Sequence, residues 1–311
     1  MRSDMKLQIR VVVTAPALPS GSNLQAAEFT ADANSILIVG ESKVGVFIDA
    51  QSGTLITKLK LRHDVTSCAI ATGDKLAVCS SNSGSVVELS TGKVLAKAGK
   101  FKAMVRSNAF SPDGLLWMAF CDKLQIHDPQ SEWKPRYRVK PPSAQDYPQT
   151  AAWLSDAEVL TSYWTMDLAT RAQSSQLIAM SLDGKKRREV YKGDMLTWAL
   201  SPDRTQIFGR QNDSALLLSA ETGDSVQTFG VLDVASIPRS VSFFGGNRVV
   251  TLESGNGLDP FLMVWDLETG GHEVIGIDRQ EIGYVVSMAT HESGSIVLLT
   301  KGATAVIATL S

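Results

Sequence analysis

Phe261-Leu-Met-Val-Trp-Asp-Leu-Glu-Thr-Gly270 is an apolar run that leads into Trp265-Asp266 and closes with a polar turn. Weaker copies of this stretch recur along the chain, at residues 46–53, 86–92 and 216–223. A unit that repeats at a near-constant spacing indicates an array of similar structural units. The repeat therefore decides the fold class before any other feature of the sequence.

The turns give two counts of the repeat. Gly53 and Gly92 are 39 residues apart, Gly184 and Gly223 are again 39 apart, and Gly92 and Gly184 are separated by 92 residues, or two units. A second set of turns contains proline, aspartate, asparagine and glycine, the residues that preset or tolerate turn dihedral angles. This set lies at residues 30–34, 71–74, 111–114, 154–157, 201–204, 244–247 and 291–294. Its members predict seven units.

Each unit has room for four short strands, and four strands in about 40–45 residues are typical of a propeller blade. After Glu281 only three strands fit, and the strand at residues 6–13 supplies the fourth from the other end of the chain. The sequence therefore predicts an all-β fold, a seven-bladed β-propeller of four-stranded antiparallel blades that the N-terminal strand closes. We expect a single domain over residues 1–311, with blades at about 24–60, 61–100, 101–140, 145–191, 192–230, 231–276, and 277–311 with 5–13.

The chain resembles the WD-repeat β-propeller family in Ser111-Pro-Asp-Gly114, Ser201-Pro-Asp-Arg204 and Val264-Trp-Asp-Leu-Glu-Thr-Gly270. The resemblance runs from Lys6 to Leu310. In the family, a set of His, Ser or Thr, Asp and Trp side chains braces each blade by hydrogen bonds. This chain has Trp-Asp in one unit only and does not supply the full set. The resemblance implies a non-catalytic scaffold for protein interactions.

Composition limits the classes of function. The 311 residues are 44% hydrophobic and 20% charged, and the formal charge of −2 gives no global field that would gather nucleic acid or anionic lipid. The three cysteines, Cys68, Cys79 and Cys121, have no paired spacing and lie in apolar runs, which is typical of a reducing compartment. No signal peptide and no apolar run of the roughly 18 residues that a membrane span needs are found. We therefore expect a cytoplasmic protein.

Motifs for catalysis, metal binding and cofactor binding are not found in the sequence. The four histidines, His63, His127, His272 and His291, are scattered without a paired metal spacing. We expect no enzyme activity, no metal and no cofactor. The alternative is a hydrolase-like propeller enzyme, with carboxylates or histidines at the mouth of the central channel.

The loop face of the predicted propeller is the better candidate for function, because loops on a rigid scaffold commonly bind partners. Aromatic residues and arginine are enriched at binding hot spots. The predicted protein-binding residues are Tyr147, Tyr163, Trp164, Arg171, Arg210, Asp213, Arg239, Asp259 and Tyr284. We predict that this face docks a protein or peptide partner; the sequence does not indicate the oligomeric state.

Two basic runs fall on the outer strands or edge turns of neighbouring blades, Lys134-Pro-Arg-Tyr-Arg-Val-Lys140 and Lys185-Lys-Arg-Arg188. Together they could form a basic flank that meets an acidic partner, RNA or a phospholipid head group such as that of a phosphoinositide. The favoured interpretation is that these charges protect exposed strand edges against pairing. Nucleic acid is therefore the less favoured partner.

Overall fold

The computed structural model describes residues 6–14, 18, 23–61, 64–71, 75–79, 83–98, 101–166, 173–230, 236–255 and 259–310. These residues are almost entirely in strands and turns. The helical segments among them are a 3-10 helix at Pro129–Ser131 and α1 at Arg279–Ile282. Neither segment is long enough to cross a lipid bilayer.

The strands, in chain order, are β1 (Leu7–Val13), β2 (Leu24–Phe29), β3 (Ser35–Gly40), β4 (Val44–Asp49), β5 (Leu55–Lys60), β6 (Ser67–Ile70), β7 (Lys75–Cys79), β8 (Gly84–Glu88), β9 (Val94–Ala98), β10 (Ser107–Phe110), β11 (Trp117–Phe120), β12 (Leu124–His127), β13 (Pro135–Val139), β14 (Asp146–Trp153), β15 (Glu158–Met166), β16 (Gln173–Ser181), β17 (Arg187–Gly193), β18 (Thr197–Leu200), β19 (Gln206–Arg210), β20 (Ala215–Ser219), β21 (Ser225–Phe229), β22 (Ser236–Phe244), β23 (Arg248–Gly255), β24 (Phe261–Asp266), β25 (His272–Gly276), β26 (Val285–Thr290), β27 (Ser295–Thr300) and β28 (Ala305–Leu310).

The strands form seven four-stranded antiparallel sheets. Six sheets consist of four consecutive strands in simple up-and-down order, beginning at β2, β6, β10, β14, β18 and β22. The seventh has the order β1-β28-β27-β26. This connectivity is that of a seven-bladed β-propeller, and we number the sheets as blades one to seven in that order. The predicted fold class is confirmed.

The N-terminal strand is the closing element. β1 pairs antiparallel with β28, from Leu7 opposite Leu310 to Val13 opposite Ala305. Gly53, in a turn of blade one, packs directly on β1: an added Cβ there would lie 2.5 Å from a Val11 methyl carbon. The predicted pairing of the two ends of the chain is confirmed.

The chain divides into two compact units. The organisation as a single domain over residues 1–311 therefore stays a prediction. The first unit comprises Met1–Asp64, Leu196–Ser219 and Ser225–Ser311. In its seventh blade, Leu298 packs with Val264 of blade six, whereas the adjacent Leu299 packs with Ile38 of blade one. β27 is therefore buried on both faces. A strand buried in this way reads as a continuous apolar run instead of an alternating pattern.

The second unit comprises Val65–Met195 and Ala220–Asp224. Its blade three has the same property. Trp117 of β11 packs with Ala77 of blade two, and the next residue, Met118, packs with Val159 of blade four. Each side chain joins the core between its own blade and one neighbour.

The repeated turns are held by local hydrogen bonds. Between the first two strands of a blade, a hydroxyl donates to an aspartate two residues later, at 2.6 Å for Thr30 to Asp32 and for Ser201 to Asp203. These bonds stabilise the ionised carboxyl and lower the pKa of Asp32 to about 2. The later turn ends in a left-handed glycine, as at Gly270 with φ of 75°, which explains the glycine spacing.

The apolar runs of the sequence predict that the first strands of blades four and six begin at Thr150 and Ser240, after Pro148 and Pro238, but the structure begins both strands earlier. β14 begins at Asp146 and β22 at Ser236. Pro148 and Pro238 both lie on the innermost strand, and the pairing register shifts just after each of them. An edge strand with an irregularity tolerates a proline, so the strand continues where the sequence indicated a break.

Candidate functional site

The two long strands of blade four bring Tyr147 and Trp164 together. They are directly opposite in the β14–β15 register, and their ring centroids are 5.7 Å apart. Tyr147 is 53% exposed, whereas Trp164 is only partly exposed. Both residues lie in paired strands. Their predicted placement in loops is therefore corrected. The rigid sheet fixes the position of the exposed ring.

Tyr163 does not belong to this surface. It is fully buried, and its ring packs edge-on against Phe120 at 5.6 Å. Successive side chains of a strand point to opposite faces, so the placement of Trp164 outward directs Tyr163 into the core. Its prediction as a binding residue is wrong.

A cleft of about 650 Å³ opens beside Tyr147 in the second unit. We call it the Tyr147 cleft. Its wall is made by the segment before β10, the turn between β11 and β12, and the segment between β13 and β14. The lining combines apolar side chains with cations: Met104, Tyr147, Pro141, Pro142, Pro148, Lys102, Arg106, Lys123 and Lys140 are among its residues.

The carboxylates of the cleft already have partners. Asp146 is buried and accepts hydrogen bonds from the Ser143 backbone N–H at 2.8 Å and from the Thr165 hydroxyl at 2.7 Å. Asp122 lies 3.8 Å from Lys123. The remaining cations of the lining have no such neighbour: within the described part of the chain, Lys102, Arg106 and Lys140 form no ion pair. The cleft therefore presents uncompensated positive charge.

A second group of predicted residues meets in the first unit. Arg239 donates a hydrogen bond of 2.8 Å to the Tyr284 hydroxyl. The guanidinium carbons of Arg239 and Arg279 lie 5.6 and 5.5 Å from the centre of the Tyr284 ring. Arg279 also lies 3.5 Å from Asp259. The structure thus joins Arg239, Asp259 and Tyr284 in one exposed cluster.

Arg279 was missed by the sequence analysis. It is the first residue of α1, and the N-cap of this helix is Asp278. The Asp278 side chain accepts hydrogen bonds from the backbone N–H groups of Gln280 and Glu281. An aspartate just before a helical segment is a sequence signal for a helix start. This signal could have predicted that a helix begins at Arg279, shortly before the predicted binding residue Tyr284.

Arg210 is a correction. Its side chain is completely buried and pairs with buried Glu253 at 3.1 Å. Ser236 and Thr251 donate to the Glu253 carboxylate at 2.9 and 2.7 Å, and Trp265 Nε1 donates to Thr251 at 3.3 Å. A buried charge needs a counter-charge and hydrogen bonds, and this network supplies both. Arg210 is therefore unavailable to a partner.

Two further residues were predicted to bind a partner. Asp213 is exposed in the turn between β19 and β20, and no ion pair joins it to another predicted residue in the described part of the chain. Arg171 lies outside the described residues.

A smaller cavity, of about 330 Å³, lies in the first unit. It contains a carboxyl group and a histidine, the side chains that the alternative of a propeller enzyme requires. Glu28, Ser242, Thr290 and His291 are among its lining residues. Burial raises the pKa of Glu28 to about 7. The Thr290 hydroxyl lies 2.6 Å from Ser242 Oγ, so the two hydroxyls already bind each other. No group of three or more His, Cys, Asp or Glu side chains within the described ranges is placed to hold a metal ion.

No protein-family model matches the chain, and no curated protein matches it at a significant level. Membership of the WD-repeat family therefore stays a prediction, beside the confirmed propeller fold.

Proposed function

We propose that this chain is a non-catalytic, WD-like propeller scaffold that docks an extended segment of a protein partner in the Tyr147 cleft. The observation that supports this proposal is the exposed Tyr147 ring, held by Trp164 at the mouth of a cleft of about 650 Å³. Binding pockets commonly have volumes of roughly 300–1,000 Å³.

The rigidity of Tyr147 favours binding. A tyrosine side chain has few rotatable bonds, and here its backbone is paired in β14 while Trp164 supports its ring. Ordering this side chain on binding therefore costs little conformational entropy. A buried aromatic anchor is the usual centre of a binding hot spot, so Tyr147 is the residue that we expect to contribute most.

The Arg239 cluster supports the proposal less strongly. Arg239 and Arg279 already interact with Tyr284, and Arg279 is also close to Asp259. A partner would have to replace these internal contacts. Three cations of the Tyr147 cleft, Lys102, Arg106 and Lys140, form no ion pair with the described residues that a partner would have to replace. We therefore place the primary docking site there.

The enzyme alternative rests on the Glu28 cavity. Glu28 is the carboxyl group among its lining residues, and no hydrogen bond joins it to His291 in the described structure. General acid–base catalysis needs groups within hydrogen-bond reach of the reacting atoms. The Tyr147 cleft offers an exposed aromatic ring and several cations for binding, whereas the Glu28 cavity offers one carboxyl group for catalysis. We therefore prefer the docking function.

Affinity capture from a cytosolic extract of the native host tests the proposal. The bait proteins are the wild type, Tyr147→Ala, and the control Ile56→Ala, which removes another exposed hydrophobic residue, 54% exposed on β5. We expect one or more proteins to bind the wild type and Ile56→Ala and to be depleted from Tyr147→Ala. Melting temperatures of the three proteins establish that the variants are folded.

The same captured proteins in equal amounts on wild type and Tyr147→Ala would remove the cleft as the docking site. Turnover of a substrate by the purified chain, lost in Glu28→Gln and kept in Tyr147→Ala, would favour the enzyme instead.

A further inference from the structure

The two basic runs of the sequence meet in the structure. Arg187, at the start of β17, donates a hydrogen bond of 3.2 Å to the backbone carbonyl of Lys140. The turn before β17 packs closely on the end of β13, because a Cβ added to Gly184 would overlap a methyl group of Val139. The runs of blades three and four are therefore in direct contact.

Lys140 belongs to both features. It lines the Tyr147 cleft, and its carbonyl accepts the bond from Arg187. The cleft and the flank consequently form one continuous surface of the second unit. We call it the basic surface; its exposed cations are Lys102, Arg106, Arg138, Lys140, Lys186 and Arg187.

The cations of the basic surface form no ion pairs with the described residues, whereas other cations of the two basic runs do. Lys134, Arg136 and Lys185, in the same two runs, each lie within 4 Å of a carboxylate, with distances of 2.9, 2.9 and 3.5 Å. No ion pair forms at the six cations of the basic surface, as far as the described ranges extend.

Protection of strand edges does not account for these charges. Arg138 and Arg187 lie on the outer strands β13 and β17, where charges do prevent pairing with another sheet. Lys102 and Arg106 precede the inner strand β10, and Lys140 follows the end of β13. These three residues lie outside the strands, so protection of a strand edge does not explain their charge directly.

We propose that the segment docked in the Tyr147 cleft is an acidic peptide, with an apolar side chain against Tyr147 and carboxylates along Lys140 toward Arg187. This inference rests on the proposed function and names its partner class. Complementary charge steers association and fixes the register of a bound chain.

The apolar part of the surface favours a peptide over a nucleic acid. Met104 is 44% exposed, and Pro141, Pro142 and Pro148 lie beside it in the cleft. These side chains accommodate an apolar anchor. A single-stranded nucleic acid would need several flat aromatic rings on which successive bases stack, whereas Tyr147 is the exposed ring of this cleft.

Fluorescence anisotropy with three labelled probes of equal length tests the proposal. The probes are a peptide rich in Asp and Glu with a central Phe, the same peptide with Asn and Gln in place of the acids, and a single-stranded oligonucleotide. The proteins are the wild type, Lys140→Glu, Tyr147→Ala, and the control Lys60→Glu, which makes the same charge change on β5. Lys60 is exposed and is the last residue of that strand.

We expect the acidic peptide to bind more tightly than the amide peptide and the oligonucleotide. Lys140→Glu should weaken its binding by about threefold to tenfold, as the exchange of an exposed attraction for a repulsion predicts. Lys60→Glu should leave it unchanged, and Tyr147→Ala should weaken both peptides.

Three results would overturn the acidic class: equal affinity for both peptides or none for either, equal effects of Lys140→Glu and Lys60→Glu, or tighter binding of the oligonucleotide, which would assign the surface to nucleic acid. If the acidic and the amide peptide bind the wild type equally and neither binds Tyr147→Ala, the proposed docking function is retained and only the acidic class is lost. Failure of the docking function itself is read from the capture experiment.

Discussion

Replacement of Glu28 by glutamine is expected to make stability less dependent on pH. Glu28 lies on β2 and is partly buried in a cavity with Ser242, Thr290 and His291. The described residues provide it with no hydrogen bond and no ion pair. Burial disfavours the charged carboxylate and raises the pKa of Glu28 from 4.5 to about 7.

The sign of the effect follows from proton binding. Between pH 4.5 and about 7 the folded chain holds the Glu28 proton more tightly than the unfolded chain does. This contribution to the free energy of unfolding is therefore full below pH 4.5 and is lost as pH rises through the folded pKa. One pKa unit corresponds to about 1.36 kcal/mol, which makes the whole loss about 3 kcal/mol. Partial exposure of Glu28 reduces it, and we expect about 1–3 kcal/mol.

Urea denaturation from pH 5 to pH 8 measures this difference. Glu28→Gln should match the wild type closely at pH 5 and should be the more stable protein at pH 8, because glutamine carries no charge to desolvate. His291 is common to both proteins, so its contribution cancels in the difference. Glu268→Gln, at an exposed position, is the control and should track the wild type. Parallel curves for Glu28→Gln and the wild type would refute the reasoning.

Two further predictions concern the stability of the blades. Glu253→Gln leaves Arg210 buried without a counter-charge and should lower the free energy of unfolding in urea by about 3–5 kcal/mol. Lys134→Ala breaks a pair whose side chains are 74% and 82% exposed and should change this free energy little, because solvent screens the pair. Similar losses in the two variants would contradict this account. Gly53→Ala and Gly246→Ala both place alanine at positive φ, 69° and 80°, which costs roughly 1–2 kcal/mol. Only at Gly53 does the new Cβ approach β1 closely, at 2.5 Å, so this variant should melt at the lower temperature; equal melting temperatures would mean that β1 moves aside freely.

The fold was more predictable than the site because its signals are local. A turn needs a few adjacent residues, such as Ser201 with Asp203, and the left-handed glycine at Gly270 serves the turn in which it lies. These signals recur at each blade and reinforce one another. The boundaries near Pro148 and Pro238 were wrong because the register shift that accommodates a proline depends on the neighbouring strand.

The site depends on distant partners. An exposed Arg239 and a buried Arg210 look alike in the sequence, and Tyr163 differs from Trp164 only by the face of β15 to which it points. What separates them is the partner: Arg210 meets Glu253 in the core, whereas Arg239 meets Tyr284 in the exposed cluster. Composition alone could not assign either arginine.

The repeat nevertheless contains information on these partners. Neighbouring blades place equivalent positions one repeat apart, and contacts between blades therefore have a near-constant sequence separation. It is 43 residues for Arg210 with Glu253 and 45 for Arg239 with Tyr284. Lys140 and Arg187 are 47 apart. The two basic runs meet at a similar separation, because the turn before β17 packs on the end of β13. A search for charges at this separation would predict which cations meet a carboxylate on the neighbouring blade, as Arg210 does, and which, like Lys140, form no ion pair with the described residues.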